Sequence, residues 1–264
     1  MTHETMSTMS SVSSIDARLA VLPGSYPDFA RLGMVPQQAV EVPRFLASNV
    51  RRASTDPVRL FRYRVVKRAM DLALIACSLP LLLPLVAILG ALVKLSSPGP
   101  IFYSHRRIGR VGAFFSMWKF RTMCVNSAEV LELYLAQNPA ARVEWNHTHK
   151  LRHDPRVTPL GQFLRRYSLD EIPQVWNVIQ GRMSLVGPRP IVAAEVPKYG
   201  EHFECYSRVK PGLTGQWQVS GRSTLSYKQR VALDCEYVAR WSMRRDLSIL
   251  LKTFSSVANR DGAY

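Results

Sequence analysis

Between Leu72 and Val93 the chain runs for 22 residues without a charged side chain: LALIACSLPLLLPLVAILGALV. A helix of that length covers about 33 Å, enough to cross the hydrocarbon of a bilayer. An unbroken apolar run this long is seldom the core helix of a soluble protein, so the segment predicts a membrane-embedded element. Two features argue against a plain span. Pro80 and Pro84 lie four apart in its middle, and each removes a backbone donor and crowds the preceding turn. Both flanks are also basic: Arg62, Arg64, Lys67 and Arg68 precede it, and Lys94, His105, Arg106, Arg107 and Arg110 follow. Positive charge marks the cytoplasmic side, so a one-way span would carry one cluster across. A helix broken at the prolines that enters one leaflet and returns keeps both in the cytoplasm. A kinked true span is the alternative.

The remaining composition says what such a chain meets. The formal charge is +16 and the pI about 10.2, which calls for nucleic acid, anionic lipid or a phosphorylated substrate. Cys77, Cys124, Cys205 and Cys235 have no metal spacing and form no disulfide framework, which fits a reducing compartment. The first stretch, MTHETMSTMSSVSSIDARL, is rich in Ser, Thr and Met, has no periodicity, and lacks the basic-then-apolar order of a secretory signal, so 1–60 reads as a largely disordered tail with at most one short turn of helix. The expected organisation is a disordered polar tail (1–60), a basic-flanked membrane helix (61–100) and a cytoplasmic-face domain (101–264).

After the apolar run, SSPGP ends the helix and IFYSHRRIG reads as a short strand into a basic turn. In FFSMWKFRTM, aromatic rings alternate with Lys119 and Arg121, a mixture suited to lipid headgroups or to single-stranded nucleic acid. The adjoining membrane segment favours lipid over nucleic acid.

The chemistry-bearing stretch is LRHDPRVTPLGQFLRRYSLDEIPQVWNVIQGRMSLVGPRP. Ile172, Val175, Trp176 and Ile179 share a helical face, and Gly181 suits the position just past the helix end. Ser168, three before Glu171, forms a capping-box pattern that sets Asp170 and Glu171 in the first turn. Acids there can simply complement the helix dipole. Arg165 and Arg166 just upstream and Arg189 in a Gly-Pro-Arg-Pro turn suggest more. Adjacent carboxylates among arginines match phosphoryl transfer assisted by a divalent cation, with acids holding the ion or attacking phosphorus.

These residues resemble the bacterial sugar transferases, the monotopic polyprenyl-phosphate sugar-1-phosphate transferases. The matching pieces are KRAMDLAL, SSPGP, WKFRTM, LRHDPRVT, LRRYSLDEIPQVWNVIQGRMSLVGPRP, VKPGLTGQWQVSGR and RVALDCEYVARWS with DLSILLKT. The end of the chain and LYLAQNPAARVEW look most like members that load galactose-1-phosphate for exopolysaccharide. The resemblance implies an α+β, mostly helical fold with a re-entrant membrane helix, interfacial amphipathic helices and a compact catalytic domain at the cytoplasmic face of the bacterial inner membrane. It also implies that Asp170 attacks the β-phosphorus of a UDP-sugar, that UMP leaves, and that undecaprenyl phosphate takes the sugar-phosphate. Glu171 is the second acid, Mg²⁺ is held by Asp170, and Lys119, Arg121, Arg165 and Arg189 bind phosphate. Self-association into a homodimer is left open. Two departures from the family pattern are Gln216, where an apolar residue is common, and Arg244 with Arg245.

The string His147, His149, His153 lacks acids or cysteines at zinc spacing and reads as a solvated face. Leu247, Leu250, Leu251 and Phe254 share a helical face, either core or interfacial. The arginines are expected to keep the pKa of Asp170 low. The rival reading is a non-catalytic basic protein that binds membrane.

Overall fold

The computed structural model describes residues 61–221 and 224–258, and the expected disordered tail 1–60 lies outside them. The apolar run belongs to one continuous helix, α1, Phe61–Ser96, with Pro80 and Pro84 inside it. At 1.5 Å per residue its 36 residues follow about 54 Å of helix path. Pro80 and Pro84 leave the carbonyls of residues 76 and 80 without helical donors. Only 11% of its most apolar window is buried, so α1 is not the core helix of a soluble domain.

The rest of the chain packs against α1 through small elements. Strands β1, Phe102–Ile108, and β2, Phe114–Phe120, pair antiparallel, with Tyr103 opposite Lys119 and Ile108 opposite Phe114. Helices α2, Ser127–Gln137, and α3, Pro139–Thr148, pack on each other and precede α4, Pro159–Arg166. The short helix α5, Gln174–Ile179, leads into β3, Ser184–Val186. Helices α6, Val196–Tyr199, and α7, Phe203–Ser207, precede β4, Gly212–Thr214, which pairs parallel with β3. Helices α8, Tyr227–Ala239, and α9, Met243–Ala258, complete the described chain. The mostly helical α+β class matches the expectation.

Strand β2 is the beam of the body. Phe115 and Met117 pack with Ile75 of α1, Val178 and Met183, while Phe120 packs with Leu89, Val93 and Leu164. Of the aromatics expected at lipid headgroups, Phe115 and Phe120 are core: five residues apart, they face opposite sides of β2, Phe115 toward Val178 and Met183 and Phe120 toward Leu89 and Leu164, while Phe114 and Trp118 are half-buried. At its other end α1 is bolted down by charge. Lys67 donates to Asp246 Oδ2 at 2.6 Å, and Asp246 also accepts from Tyr237 at 2.7 Å and Trp241 at 2.9 Å. Asp246 is fully buried, so this network closes only when α1, α8 and α9 assemble. On α9 the apolar face divides. Leu250 packs on the core, whereas Leu247, Leu251 and Phe254 are exposed.

Candidate active site

The acid pair is held by a turn, not by the expected capping box. Ser168 adopts a left-handed conformation (φ 55°) without capping through its side chain, and Leu169–Glu171 forms a 3-10 turn. The helix proper begins only at Gln174, after Pro173. Trp176, expected on the buried face, is 54% exposed: Val175 and Ile179 of the same helix pack on the core without it. Gly181 does end the helix with φ 76°, its N–H reaching the Val178 carbonyl at 2.9 Å.

Three side chains far apart in sequence fix this segment. Asn177 accepts from the Trp118 N–H at 3.0 Å and donates to the Ser116 carbonyl at 2.8 Å, so α5 is stitched to the edge of β2. Arg68 of α1 donates to the last carbonyls of α5, Val178 and Ile179. The Val178 carbonyl thus accepts from Arg68 as well as from the Gly181 N–H, and a cation at a helix C-terminus also complements the dipole. Asp71 accepts from the Leu185 N–H at 3.2 Å.

This stitching brings Lys119 to the carboxylates. Its Nζ donates to Asp170 Oδ2 at 3.2 Å and to Glu171 Oε1 at 2.6 Å. Asp170 is 7% exposed. Burial raises its carboxyl above the usual range, with Glu171 adding to the rise and Lys119 and Arg165 opposing it. The expectation that arginines hold Asp170 low is thus overturned: desolvation outweighs them. Glu171 goes the other way. Burial pushes it up, but Lys119, Arg189 and Arg107 outweigh that and leave it below its usual range. The two acids are chemically distinct before any ligand arrives.

The predicted cations do not all converge. Arg165 lies within electrostatic range of Asp170, its Nε anchored on Thr122 Oγ1 at 2.9 Å. Gly161, one turn earlier on α4, rests directly on the Thr122 backbone, where a Cβ would collide. Arg189 is exposed and lines a cleft with Glu171. Arg121 is elsewhere occupied: it donates to the carbonyls of Pro98 at 2.8 Å and Ser97 at 2.7 Å, capping the end of α1. Arg121 is buried, and its guanidinium serves the helix end rather than the acid pair.

Sequence reasoning counted Arg107 and His105 only as basic flank. The Ile108–Ile191 bridge and Tyr206, whose hydroxyl donates to Ile108 O at 2.6 Å, bring β1 beside the Gly-Pro-Arg-Pro turn. Burial, then the like charge of Arg189, lowers the Arg107 guanidinium, and Arg107 reaches Glu195 at 3.9 Å. His105 is pushed down to about 4 by burial, Arg107 and Lys119, so it is neutral at physiological pH and does not add to the basic flank. Beyond the turn, the Trp217 ring carries Arg230 at 4.8 Å and Arg189 at 6.0 Å. No cluster of three or more His, Cys, Asp or Glu exists among the described residues. Two adjacent carboxylates nevertheless fit Mg²⁺, which takes one or two carboxylates and completes its shell with phosphate oxygens and water.

Comparison with known proteins matches residues 62–260 to the bacterial sugar transferase family. The chain is 50% identical over 201 residues to the UDP-galactose-lipid carrier transferase of Erwinia amylovora, covering 76% of this chain and 42% of that one. It is 48% identical over 200 residues to the exopolysaccharide production protein ExoY of Sinorhizobium fredii, covering 76% of this chain and 88% of that one. With the UDP-glucose:undecaprenyl-phosphate glucose-1-phosphate transferase of Xanthomonas campestris pv. campestris the identity is 35% over 246 residues, covering 90% of this chain and 48% of that one. The chain thus spans less than half the length of two of these relatives and most of the third. The match takes in α1, the strand that carries Lys119 and the turn that carries Asp170 and Glu171, and the chain belongs to the bacterial sugar transferase family.

Proposed function

We propose that the protein transfers a sugar-1-phosphate from a UDP-sugar to undecaprenyl phosphate and releases UMP. The observation that carries this is the Lys119 ammonium bridging a raised carboxyl, Asp170, and a lowered one, Glu171, with Arg165 and Arg189 in electrostatic range. A carboxyl whose basicity is raised by burial is the stronger nucleophile once ionised. In the first step an Asp170 oxygen bonds to the β-phosphorus, the bridge to the α-phosphate breaks, and UMP departs. In the second, a phosphate oxygen of the lipid attacks the same phosphorus, the acyl-phosphate bond breaks, and the Asp170 carboxylate is regenerated. Lys119 and Arg189 offset the charge that spreads over the phosphoryl oxygens. Glu171 stays ionised and holds Lys119 in place. Mg²⁺, held by Asp170 beside Glu171, would neutralise the diphosphate when bound.

The sugar we propose is galactose, since two relatives named for galactose are 48–50% identical and those named for glucose 35% and 39%. Similarity to a protein named for exopolysaccharide production favours a role in starting that polymer.

The membrane helix is read as re-entrant. Lys67 near the start of α1 and Val93 near its end are both tied to one body, through Asp246 and through Phe120. That body exposes charged groups and cannot straddle hydrocarbon, so the reading keeps both ends at one face. The exposed Leu247, Leu251 and Phe254 of α9 would then rest in the same interface. UMP release from a panel of UDP-sugars, with membranes that contain undecaprenyl phosphate, tests the function. UMP from UDP-galactose that depends on the lipid supports it. No UMP from any UDP-sugar contradicts it.

A further inference from the structure

The proposed transfer leaves Arg107 unused, yet the fold delivers it to the acid pair. In the β1–β2 ladder Tyr103 pairs with Lys119, His105 with Met117 and Arg107 with Phe115. Side chains alternate along a strand, so Arg107 and Lys119 stand on one face of the hairpin, about 13 Å apart along it at the backbone. The Ile108–Ile191 bridge lays that end of β1 beside the turn that carries Arg189. Lys119 thus bonds the acids from one end of the face, while Arg107 and Arg189 come within electrostatic range of Glu171 from the other.

Arg107 is poorly satisfied for a structural arginine. Its side chain is 14% exposed, and its Nε is buried without a hydrogen-bond partner. Its ion pair with Glu195 is long, 3.9 Å against 2.6 Å for Lys119 with Glu171. The same Glu195 oxygen already accepts from the Val192 N–H at 3.0 Å. Arg189 brings a second guanidinium close enough to disfavour the charge of Arg107. Two neighbouring guanidinium groups, one of them largely desolvated, are costly unless an anion joins them. The planar fork of arginine suits phosphate.

On the reading that the protein transfers a sugar-phosphate, we propose that Arg107, together with Arg189, forms the subsite for the phosphate monoester on the far side of the reacting phosphorus. That monoester is the UMP phosphate in the first step and the lipid phosphate that replaces it in the second. In an in-line displacement the attacking and leaving oxygens lie on opposite sides of phosphorus. Asp170 attacks from the side of Lys119 and Arg165, the cations that act on it. The bridging oxygen therefore departs on the other side, toward the arginines that act on Glu171 instead. As its bond to the β-phosphorus breaks, the electron pair stays on that oxygen, and a guanidinium offsets the added charge without a proton transfer. The lipid phosphate must attack opposite Asp170, so it enters where UMP has left.

The test compares wild type with Arg107→Met, Arg107→Lys and Glu195→Gln, as full chains in lipid nanodiscs and one Mg²⁺ buffer. It reads binding of UMP and of uridine, which differ only in the phosphate, and UMP release from UDP-galactose in the presence of undecaprenyl phosphate. Arg107→Met should weaken UMP about tenfold and leave uridine unchanged. It should lower kcat/KM for UDP-galactose and for undecaprenyl phosphate by about the same factor. Arg107→Lys keeps the charge without the fork and should lose about threefold. Glu195→Gln keeps an acceptor for the Val192 N–H and removes the charge that competes for Arg107, so UMP should bind as in wild type or more tightly. A loss in Glu195→Gln as large as in Arg107→Met would make Arg107 a mere support for Glu195 and overturn the proposal. So would an unchanged UMP affinity in the folded Arg107 variants, or a loss confined to one of the two substrates. Should Arg107→Met fail to fold, Arg107→Lys carries the comparison. A wild-type chain that releases no UMP contradicts the functional reading itself, and is seen before any variant is compared.

Discussion

Arg245 donates from Nε to Gln216 Oε1 at 2.7 Å, and from Nη2 to Glu236 Oε1 at 2.7 Å. The contact joins α9 to the turn that carries Trp217. Arg245 and Gln216 both read in sequence as departures from the family pattern, and in the structure they are partners. Gln216→Leu and Arg245→Met should each lower stability by about 1 kcal/mol, with the double variant costing clearly less than their sum. Denaturation of the four proteins in one detergent measures the coupling. Strict additivity would mean that the pair contributes nothing.

Asp234 makes stability depend on pH. It is 1% exposed, accepts from the Tyr199 hydroxyl at 2.8 Å, and keeps Oδ1 buried without a partner. Burial pushes its carboxyl up to about 7, with the Tyr199 hydrogen bond opposing. Between the unfolded carboxylate range near 4 and that value, the folded state binds more protons than the unfolded one. Its contribution is therefore full at low pH and is lost as pH rises through about 7. Asp234→Asn keeps an acceptor for Tyr199 without the charge. It should flatten the fall in Tm between pH 5 and 8 and raise Tm by roughly 5 °C at the alkaline end. An unchanged slope would contradict the assignment.

What the sequence could reveal here followed the range of the interactions. The helix α1 was legible because its signal is local: an uncharged run needs no partner to be read. The 3-10 turn at Asp170 was not, because the segment that follows it is held by partners distant in sequence, the Ser116 carbonyl of β2 that Asn177 reaches and Arg68 of α1. The Lys67–Asp246 pair joins residues 179 apart, and no periodicity announces such a contact. Arg121 and Lys119 sit two residues apart and look alike in sequence. Strand alternation sends both to one side, yet one reaches the helix end and the other the acids. Lys119, Arg165 and Arg189 were placed at phosphate by family resemblance, since charge alone does not separate them from Arg121.

Lys119 should set both rate and pH profile. Asp170 reacts ionised, and burial raises its carboxyl, so kcat/KM should fall as pH drops through a value above the ordinary carboxylate range. Lys119 is the main influence opposing that rise. Lys119→Met should lower kcat/KM about 100-fold and move the acid limb to higher pH. A limb that stays in place, or moves down, would remove Lys119 from this role.

Both ends of α1 should report the same side of the membrane. Phe61 is 78% exposed and Arg110 is exposed, so single cysteines at these positions in a background without native cysteines are suitable probes. An impermeant thiol reagent added to inverted vesicles should label both, and added to intact spheroplasts should label neither. Labelling from opposite sides would leave a simple span.

The central claim is that the Asp170 carboxylate becomes covalently bonded to the sugar-phosphate. The direct measurement mixes the protein with UDP-galactose labelled in the β-phosphate, without lipid acceptor, and locates the label after quenching and proteolysis. Wild type should carry it on the peptide that contains Asp170, and added undecaprenyl phosphate should discharge it. Asp170→Asn should carry none and release no UMP, while Glu171→Gln should turn over slowly and still form some adduct. Label retained by Asp170→Asn and lost in Glu171→Gln would reverse the two roles, and turnover unaffected by either substitution would contradict the covalent mechanism.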